Sequence, residues 1–372
     1  MYWPGVIIAA TLFVAYANGA NDNFKGVATL FGSGTTSYRK ALYWATITTF
    51  AGSGSAFFLA TELISTFQGI GLLPAHLTSS EPFIGAVISG AAMTVLVATK
   101  VGMPISTTHS LTGALIGSGF VAVGPQLGWP TLLGSFFLPL LLSPLLAVAF
   151  ASCGYPFLVR TLQFTGLGRD RCVCLGGQAM IQAASAGGVR IYETTPGLRV
   201  IVDNQQVCAA PQAGTLFGIN GAQVLDAGHF ISAGAVSFAR GLNDTPKIVA
   251  LGLVASSMNL KWTIGSVALL MAIGGLLNAK KVAQTVGRRI TAMDADQGLA
   301  ANLVTSGLVI WASKWGVPVS TTHVSCGALF GIGIANGRAH WHVIRTILFA
   351  WFLTLPVAAA LSAGCYCLFK SF

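Results

Sequence analysis

Two short polar motifs each occur twice in this otherwise apolar chain. The first reads Gly-Ala-Asn-Asp-Asn-Phe-Lys over residues 19–25 and Gly-Leu-Asn-Asp-Thr-Pro-Lys over 241–247. The second reads Pro-Ile-Ser-Thr-Thr-His over 104–109 and Pro-Val-Ser-Thr-Thr-His over 318–323. Because the motifs follow in the same order in both halves, they indicate two repeats that face one central site.

The carboxylates of Asp22 and Asp244 are the most informative groups of the first motif. A carboxylate inside a membrane span costs about 3 kcal/mol on insertion scales, so such groups usually serve a function. The alternative is a structural role, in which each aspartate pairs with the lysine three positions on, Lys25 or Lys247, on the same helix face. The two roles are compatible, and the matching positions in the two halves favour a function.

The second motif supplies hydroxyl groups at two predicted helix starts. Proline begins a helix well because it has no N–H that needs a partner, and the free N–H groups and the helix dipole attract an anion there. The hydroxyls belong to Ser106, Thr107, Thr108, Ser320, Thr321 and Thr322. Helix capping and helix–helix hydrogen bonds are the alternative, but duplication beside two Asn-Asp pairs favours an anion site. We expect His109 and His323 to support these helix starts.

Together the motifs provide carboxylates, amides, hydroxyls and ammonium groups, a set that suits an oxyanion travelling with a cation. A hydrogen-bearing oxyanion such as hydrogen phosphate can donate a hydrogen bond to an aspartate, whereas sulfate cannot.

The composition identifies the environment of these motifs. Only 8% of the residues are charged and 54% are hydrophobic, whereas a soluble domain carries roughly 25% charged residues. This composition predicts a membrane protein with several closely packed helices. The net charge of +10 is spread between apolar runs without a basic stripe, which argues against nucleic-acid binding. The chain has no zinc motif and no dense acidic cluster, so we expect no cofactor and no metal site.

Ten apolar segments are long enough to be membrane spans or pairs of half-helices. They lie near 3–31, 40–73, 83–99, 104–125, 131–159, 214–240, 246–278, 297–313, 318–336 and 342–369. We therefore predict an all-α polytopic membrane protein built from two inverted-topology repeats of about five spans each, with broken or re-entrant helices. The first repeat is expected to cover 1–160, a small cytoplasmic β-containing insert 161–212, and the second repeat 213–372.

The insert differs from the rest of the chain in its residue pattern. Residues 188–194 and 198–204 alternate apolar and polar side chains and are rich in β-branched types. This pattern predicts two short strands joined around Thr195-Pro196-Gly197. Three cysteines in this region, Cys172, Cys174 and Cys208, give a weak metal or redox signal, because they are an incomplete ligand set.

The basic residues predict the orientation of the chain, because cytoplasmic loops carry an excess of lysine and arginine. With the N-terminus outside, 14 basic residues fall on the cytoplasmic side and 3 outside, and Lys25, Arg240 and Lys247 lie within or at the edges of spans. The cytoplasmic set is Arg39, Lys40, Lys100, Arg160, Arg169, Arg171, Arg190, Arg199, Lys280, Lys281, Arg288, Arg289, Arg338 and Arg345, and the outer set is Lys261, Lys314 and Lys370. We therefore expect a multi-pass protein of a bacterial or archaeal plasma membrane, with both termini outside and the insert in the cytoplasm.

At these motifs the chain resembles the inorganic phosphate transporter (PiT) family, which carries a duplicated Gly-Ala-Asn-Asp signature and a duplicated Pro-x-Ser-x-Thr-His signature in inverted repeats. The resemblance covers both membrane halves but not 161–212. It implies phosphate uptake by cation symport through an elevator-like or rocking movement, and a homodimer. It also implies that phosphate is held by Asn21, Asp22, Ser106, Thr107, Thr108, Asn243, Asp244, Ser320, Thr321 and Thr322.

One departure from the family concerns the coupling ion. The family usually has an asparagine three positions after the motif aspartate, in the cation-binding region, where this chain has Lys25 and Lys247. An ammonium group there can neutralise the aspartate, and it repels a sodium ion at close range. This departure predicts charge balance by the lysines, with proton coupling or no coupled cation in place of sodium.

The sequence thus predicts a secondary transporter of inorganic phosphate rather than an enzyme. A sulfate or other oxyanion permease of the same fold is the main alternative. An intramembrane metal-dependent transferase is less favoured, because an enzyme seldom needs matching groups that enter from opposite faces. An anion channel is disfavoured because paired buried carboxylates oppose anion conduction.

Overall fold

The computed structural model describes residues 2–164, 215–253 and 259–371, and four short stretches between them, at 171–176, 179–182, 191–194 and 199–204. Helices dominate the three long ranges. The predicted all-α polytopic membrane fold is confirmed at this level.

The first half contains a series of helices joined by short turns. They are α1 (Trp3–Asp22), α2 (Ala28–Gly32), α3 (Tyr38–Leu59), α4 (Thr61–Phe67), α5 (Ala75–Thr78), α6 (Glu81–Val101), α7 (Thr107–Val123), α8 (Trp129–Thr131) and α9 (Leu138–Phe164). A 3-10 turn, Lys25–Val27, separates α1 from α2, and a π-helical stretch, Leu132–Phe137, joins α8 to α9.

The second half repeats the long elements in the same order. Its helices are α10 (Gly221–Gly252), α11 (Leu260–Asn278), α12 (Lys280–Gln284), α13 (Ala295–Lys314), α14 (Thr321–Ala335) and α15 (Trp341–Phe369). A π-helical turn, Thr285–Arg289, follows α12. The second Asn-Asp motif lies in α10, and the second Ser-Thr-Thr motif lies at the start of α14.

Strands occur in the described parts of 171–220, and the last of them lies beyond the predicted end of the insert at 212, where the sequence suggested an apolar helix. They are β1 (Arg171–Gly176), β2 (Ala179–Gln182), β3 (Ile191–Thr194), β4 (Arg199–Asn204) and β5 (Thr215–Asn220). One antiparallel sheet has the order β4-β1-β5, and β2 pairs separately with β3. The two strands predicted around 195–197 therefore do not pair with each other, since β3 and β4 belong to different sheets. Cys208 and the side chains of Cys172 and Cys174 lie outside the described part of the structure.

Within the described residues, five helices are long and apolar enough to cross a membrane, and the pair α3–α4, bent by 83°, is a sixth candidate. The five are Trp3–Gly32, Glu81–Val101, Trp129–Phe164, Leu260–Asn278 and Trp341–Phe369. Helix α14 is shorter and apolar, and α7 is also short, at 17 residues.

One predicted boundary is wrong. The sequence suggested separate segments near 214–240 and 246–278, but α10 continues through the second Asn-Asp motif as far as Gly252, with Pro246 inside it. A proline removes one intrahelical hydrogen bond. The helix continues because the side chains on both sides of Pro246 are hydrogen-bonded to other helices. Thr245 Oγ1 donates to Ser53 Oγ at 2.8 Å, and Lys247 Nζ donates to Thr108 Oγ1 at 2.7 Å.

Glycines let helices of opposite halves approach closely. Helix α1 packs on α11 and α10 packs on α3. A Cβ atom on Gly19 would lie 1.9 Å from the carbonyl oxygen of Met271, and one on Gly241 would lie 2.1 Å from that of Thr49. Both are the glycines that open the Asn-Asp motifs, so close packing fixes the position of each motif.

The helices of the second motif cross the halves in the same way. Helix α7 packs on α15, and α14 packs on α9. A Cβ atom on Gly117 would lie 2.0 Å from the oxygen of Ala359, and one on Gly331 would lie 2.5 Å from that of Val148. Each of the two large apolar clusters also draws on both halves, one with Phe83 and Met271 and the other with Phe24 and Phe330.

Candidate anion-binding site

The side chains of both motif pairs are buried in the middle of the helix assembly. All residues predicted for the site, together with the two motif histidines, are at most 9% exposed. Buried ionised groups must be paired and hydrogen-bonded to remain charged. The partners of each charged group therefore define what the site can do.

The motif asparagines connect each Asn-Asp pair to a helix of the same half. Asn21 Nδ2 donates to Thr99 Oγ1 at 3.0 Å, and Ser313 Oγ donates to Asn243 Oδ1 at 3.1 Å. Thr99 and Ser313 each lie five positions before the proline of the second motif. Both amides thus fix the first motif against the chain that leads into the second motif.

Lys25 lies in a cage of oxygen atoms. It forms a direct ion pair with Asp22, and its Nζ also donates to Asn21 Oδ1 at 2.8 Å. Two further acceptors come from the second motif of each half, the carbonyl of Ile105 at 2.8 Å and Thr322 Oγ1 at 2.7 Å. The ammonium group therefore joins its own aspartate to a hydroxyl of the opposite half.

Lys247 makes the counterparts of two of the Lys25 contacts. Its Nζ donates to Thr108 Oγ1 at 2.7 Å and to the carbonyl of Val319 at 2.7 Å. The nearest carboxylate oxygen of Asp244 lies 3.6 Å from it. Each lysine thus contacts the last threonine of the opposite Ser-Thr-Thr run, so the two motif pairs form one connected site.

Serine side chains cap the two helices that begin at the site. Ser106 Oγ accepts from the N–H of His109 at 3.0 Å, and Ser320 Oγ accepts from that of His323 at 3.2 Å. The expectation that proline begins these helices is wrong: α7 begins at Thr107 and α14 at Thr321. The hydroxyl cap satisfies a free N–H of the first turn and so sets the start after the serine.

The threonines carry the hydroxyl contacts further. Thr107 Oγ1 donates to Asp22 Oδ2 at 3.2 Å, and Thr322 Oγ1 donates to the carbonyl of Ile105 at 2.9 Å. Thr321 is buried at the first position of α14. The structure thus brings the predicted residues of both halves to the two facing helix starts.

Two residues that the sequence analysis left unassigned complete the network. Asn18 Nδ2 lies 3.2 Å from Asp22 Oδ2, 3.2 Å from Asp244 Oδ2 and 2.9 Å from Thr107 Oγ1, so its amide bridges the two carboxylates. Arg240 Nη2 donates to Asn18 Oδ1 at 2.6 Å, and its Nε lies 3.8 Å from Asp244 Oδ2. The signal in the sequence is their spacing, because each lies four residues before the motif aspartate and so on the same helix face.

The motif histidines meet behind the helix starts. The rings of His109 and His323 lie 4.2 Å apart, and His323 stacks on Trp351 at 3.8 Å. They line an apolar cavity of about 450 Å³. Within the described structure His109 Nδ1 and His323 Nε2 have no hydrogen-bond partner. The two rings therefore pack against each other and against Trp351 next to the helix starts.

The buried charges at this site do not balance. Asp22 and Asp244 face three cations, Lys25, Lys247 and Arg240, all at most 5% exposed. The excess of positive charge, together with two helix N-termini, suits an oxyanion. Among the described residues there is no group of three or more His, Cys, Asp or Glu side chains that could hold a metal ion. The lysine ammonium groups already donate to the hydroxyl and carbonyl oxygens of Thr322, Ile105, Thr108 and Val319.

Comparisons with known proteins find similarity to proteins that are named for phosphate transport. A family model described as phosphate transporter family matches residues 18–362. A Pyrococcus abyssi protein named "putative phosphate permease" is 27% identical over 405 positions, with 97% of this chain and 96% of its own length covered. A Haemophilus influenzae protein of the same name is 27% identical, with 93% of this chain and 92% of its length covered.

A solved structure entitled "The sodium-dependent phosphate transporter" has the same fold. Its TM-score is 0.75 at 21% sequence identity, and the match covers 100% of both chains.

Proposed function

Because the chain belongs to the phosphate transporter family, we propose that it takes up inorganic phosphate across the plasma membrane by secondary transport, with proton coupling or without a coupled sodium ion. Family membership makes it a multi-pass membrane transporter of phosphate and not an enzyme. The proposal adds the coupling, the membrane and the residues that hold the anion.

We propose that phosphate binds between the facing motifs of the two halves. The binding residues would be Asn21, Asp22, Ser106, Thr107, Thr108, Asn243, Asp244, Ser320, Thr321 and Thr322. The observation that carries this proposal is the reciprocal contact in which Lys25 binds Thr322 and Lys247 binds Thr108. This crossing joins two anion-attracting helix starts to two ion pairs, as a transporter with two access routes to one site requires.

The oxygen cage around Lys25 supports sodium independence. Its ammonium takes four oxygen contacts, from Asp22, Asn21, Ile105 and Thr322. Carbonyl, hydroxyl and carboxylate oxygens are also the ligands of hard cations, and a fixed ammonium leaves no place for a second cation at close range. Lys247 binds hydroxyl and carbonyl oxygens in the same way.

Uptake into proteoliposomes tests the proposal. Radiolabelled phosphate and sulfate would be offered with sodium or with choline in its place at fixed pH, and then across a proton gradient. We expect saturable phosphate uptake that persists in choline and responds to the proton gradient. A strict sodium requirement would contradict the coupling proposal. Saturable uptake of sulfate without uptake of phosphate would show that sulfate, not phosphate, is the substrate.

A double substitution tests the role of the lysines directly. Lys25→Asn together with Lys247→Asn restores the asparagine typical of the family at both positions. We expect the double variant to acquire sodium-stimulated uptake, because the oxygen cages would be free to bind a cation. The exchange Lys40→Asn, at an exposed position outside the site, is the control. A folded double variant whose uptake ignores sodium would sink this account.

We further propose two membrane repeats, 1–160 and 213–372, joined by a cytoplasmic insert, 161–212, with both termini outside. Contacts among basic loops support a common side: Lys281 Nζ donates to the carbonyl of Lys100 at 2.8 Å, and Thr285 Oγ1 donates to that of Gly102 at 2.9 Å. In a cysteine-free background, Ser371→Cys should react with an impermeant thiol reagent on intact cells and Ser185→Cys should not. Ready labelling at position 185 from outside would reverse the orientation.

A homodimer completes the proposal. Cross-linking in native membranes, followed by mass measurement of the purified protein in detergent, would distinguish a dimer from a monomer. A single species with the mass of one chain and its detergent would remove the dimer from the proposal.

A further inference from the structure

Asn18 and Arg240 occupy equivalent positions of the two halves but differ in charge. Each lies four residues before the motif aspartate of its half, and the two side chains are hydrogen-bonded to each other at 2.6 Å. Both are fully or almost fully buried, at 0% and 1% exposed. The duplicated site is therefore asymmetric at the point where its halves meet.

The asymmetry leaves one buried cation without a carboxylate of its own. Lys25 pairs with Asp22 and Lys247 faces Asp244. Arg240 is additional, and it lies 3.8 Å from an Asp244 carboxylate that already faces Lys247. A buried charge without compensation is costly, so the assembled protein favours an anion beside this guanidinium.

The other groups that face Arg240 do not supply that anion. On α3 its neighbour is the hydroxyl of Thr49, at 3.3 Å, and after α1 it is Asn23 Oδ1, at 3.0 Å. Among the residues that the structure describes, the carboxylates of this network are those of the two motif aspartates.

The guanidinium also retains a free donor. Its two terminal nitrogens bind Asn18, Asn23 and Thr49, whereas Nε has no hydrogen-bond partner among the described residues. An arginine presents its N–H groups in a planar fork that matches the oxygens of a phosphate or carboxylate. One edge of Arg240 therefore remains available to an incoming oxyanion on the side of Asp244.

We infer that Arg240 is the residue that compensates the charge of the transported anion, while Lys25 and Lys247 compensate the two aspartates. This inference rests on the proposed phosphate transport and names a specificity-determining residue for it. A single copy is sufficient because one anion binds at the shared centre. An arginine at both positions would place two cations side by side, and an asparagine at both would leave the site neutral.

Four variants test this inference through phosphate binding to the purified protein and through separate measurement of the KM and the maximal rate of uptake. Arg240→Gln removes the charge and keeps hydrogen bonding, and we expect its KM and Kd for phosphate to rise at least about tenfold. Arg240→Lys keeps the charge and should lose less affinity. The exchange Asn18→Arg with Arg240→Asn moves the charge to the equivalent position and should recover most of the affinity that Arg240→Asn alone loses.

The outcomes separate this inference from the proposed function. Wild-type protein that binds no phosphate would remove the proposed function itself. Phosphate binding by the wild type that is unchanged in folded Arg240→Gln would overturn the inference alone, as would equal losses in Arg240→Lys and Arg240→Gln. If Arg240→Gln does not fold, the exchange variant decides: restored binding supports charge compensation, and a folded exchange variant without binding overturns it. Lys40→Gln, which makes the same charge change at an exposed position, is the matched control.

Discussion

The two half-sites use the same backbone positions but divide their charges differently. In the first half Asp22 is in direct contact with one cation, Lys25, which also holds Thr322 of the other half. In the second half Asp244 lies 3.6 Å from Lys247 and 3.8 Å from Arg240, so two cations share it. The comparison shows that duplication has kept the hydrogen-bond donors while the electrostatics have diverged.

Substitution of either lysine should have the largest effect on stability, and the size of the effect should differ between the two halves. Lys25→Met leaves Asp22 buried without a cation in contact, and breaking such a pair costs about 3–5 kcal/mol of unfolding free energy. Lys247→Met should cost less, because Arg240 remains near Asp244. Thermal and denaturant unfolding of the two variants in detergent would measure the difference, with Lys40→Met as the surface control. Equal losses in the two variants would show that Arg240 does not replace Lys247 as the partner of Asp244 when the lysine is removed.

Substitution of the motif glycines should affect both halves alike. A Cβ atom at Gly19 would lie 1.9 Å from the oxygen of Met271, and one at Gly241 would lie 2.1 Å from that of Thr49. Gly19→Ala and Gly241→Ala should therefore each destabilise the protein by about 1–3 kcal/mol, the usual cost of overpacking.

The control for these glycines is Gly54→Ala on α3, where a Cβ would meet nothing within 4 Å. This change should stabilise the helix by about 0.5–1 kcal/mol, because alanine restricts the unfolded chain more than glycine does. If the two variants Gly19→Ala and Gly241→Ala differ in unfolding free energy by more than the measurement error, the packing of the two halves has diverged as their charges have.

The capping serines should give the smallest effect on stability. Ser106→Ala and Ser320→Ala should each lower the free energy of unfolding by about 1 kcal/mol. Ser106→Gly and Ser320→Gly should lower it by only a few tenths, because glycine is itself tolerated as a cap. If the hydroxyls also bind phosphate, all four serine substitutions, to alanine or to glycine, will raise the KM for uptake. An unchanged KM in all four would leave the serines with a capping role only.

The sequence was most informative where its signal is local or repeated. Composition and apolar length predicted the membrane fold, and the doubled motifs predicted that Asp22, Lys25 and their counterparts would lie together. Local rules misplaced Pro246, which lies inside α10 because contacts from other helices outweigh one lost hydrogen bond.

The contact between Asn18 and Arg240 at the centre of the site could not be predicted from local sequence rules. Arg240 and Asn18 are 222 positions apart, and neither local sequence indicates that the two side chains meet. Their significance depends on two helices from opposite halves crossing at this point. Comparison of equivalent positions in the two repeats would have identified the pair, because both lie one helical turn before the motif aspartate.

The interleaved glycine contacts have a consequence for how the protein is made. The closest packing surfaces of α1 and α7 are completed by α11 and α15, which the ribosome produces much later. A first half that has just entered the membrane therefore presents glycine-lined faces to lipid until its partners arrive. Two fragments cut within 161–212 and co-expressed should assemble with each other, whereas either fragment alone should be recognised as incomplete and degraded by the quality-control proteases of the membrane.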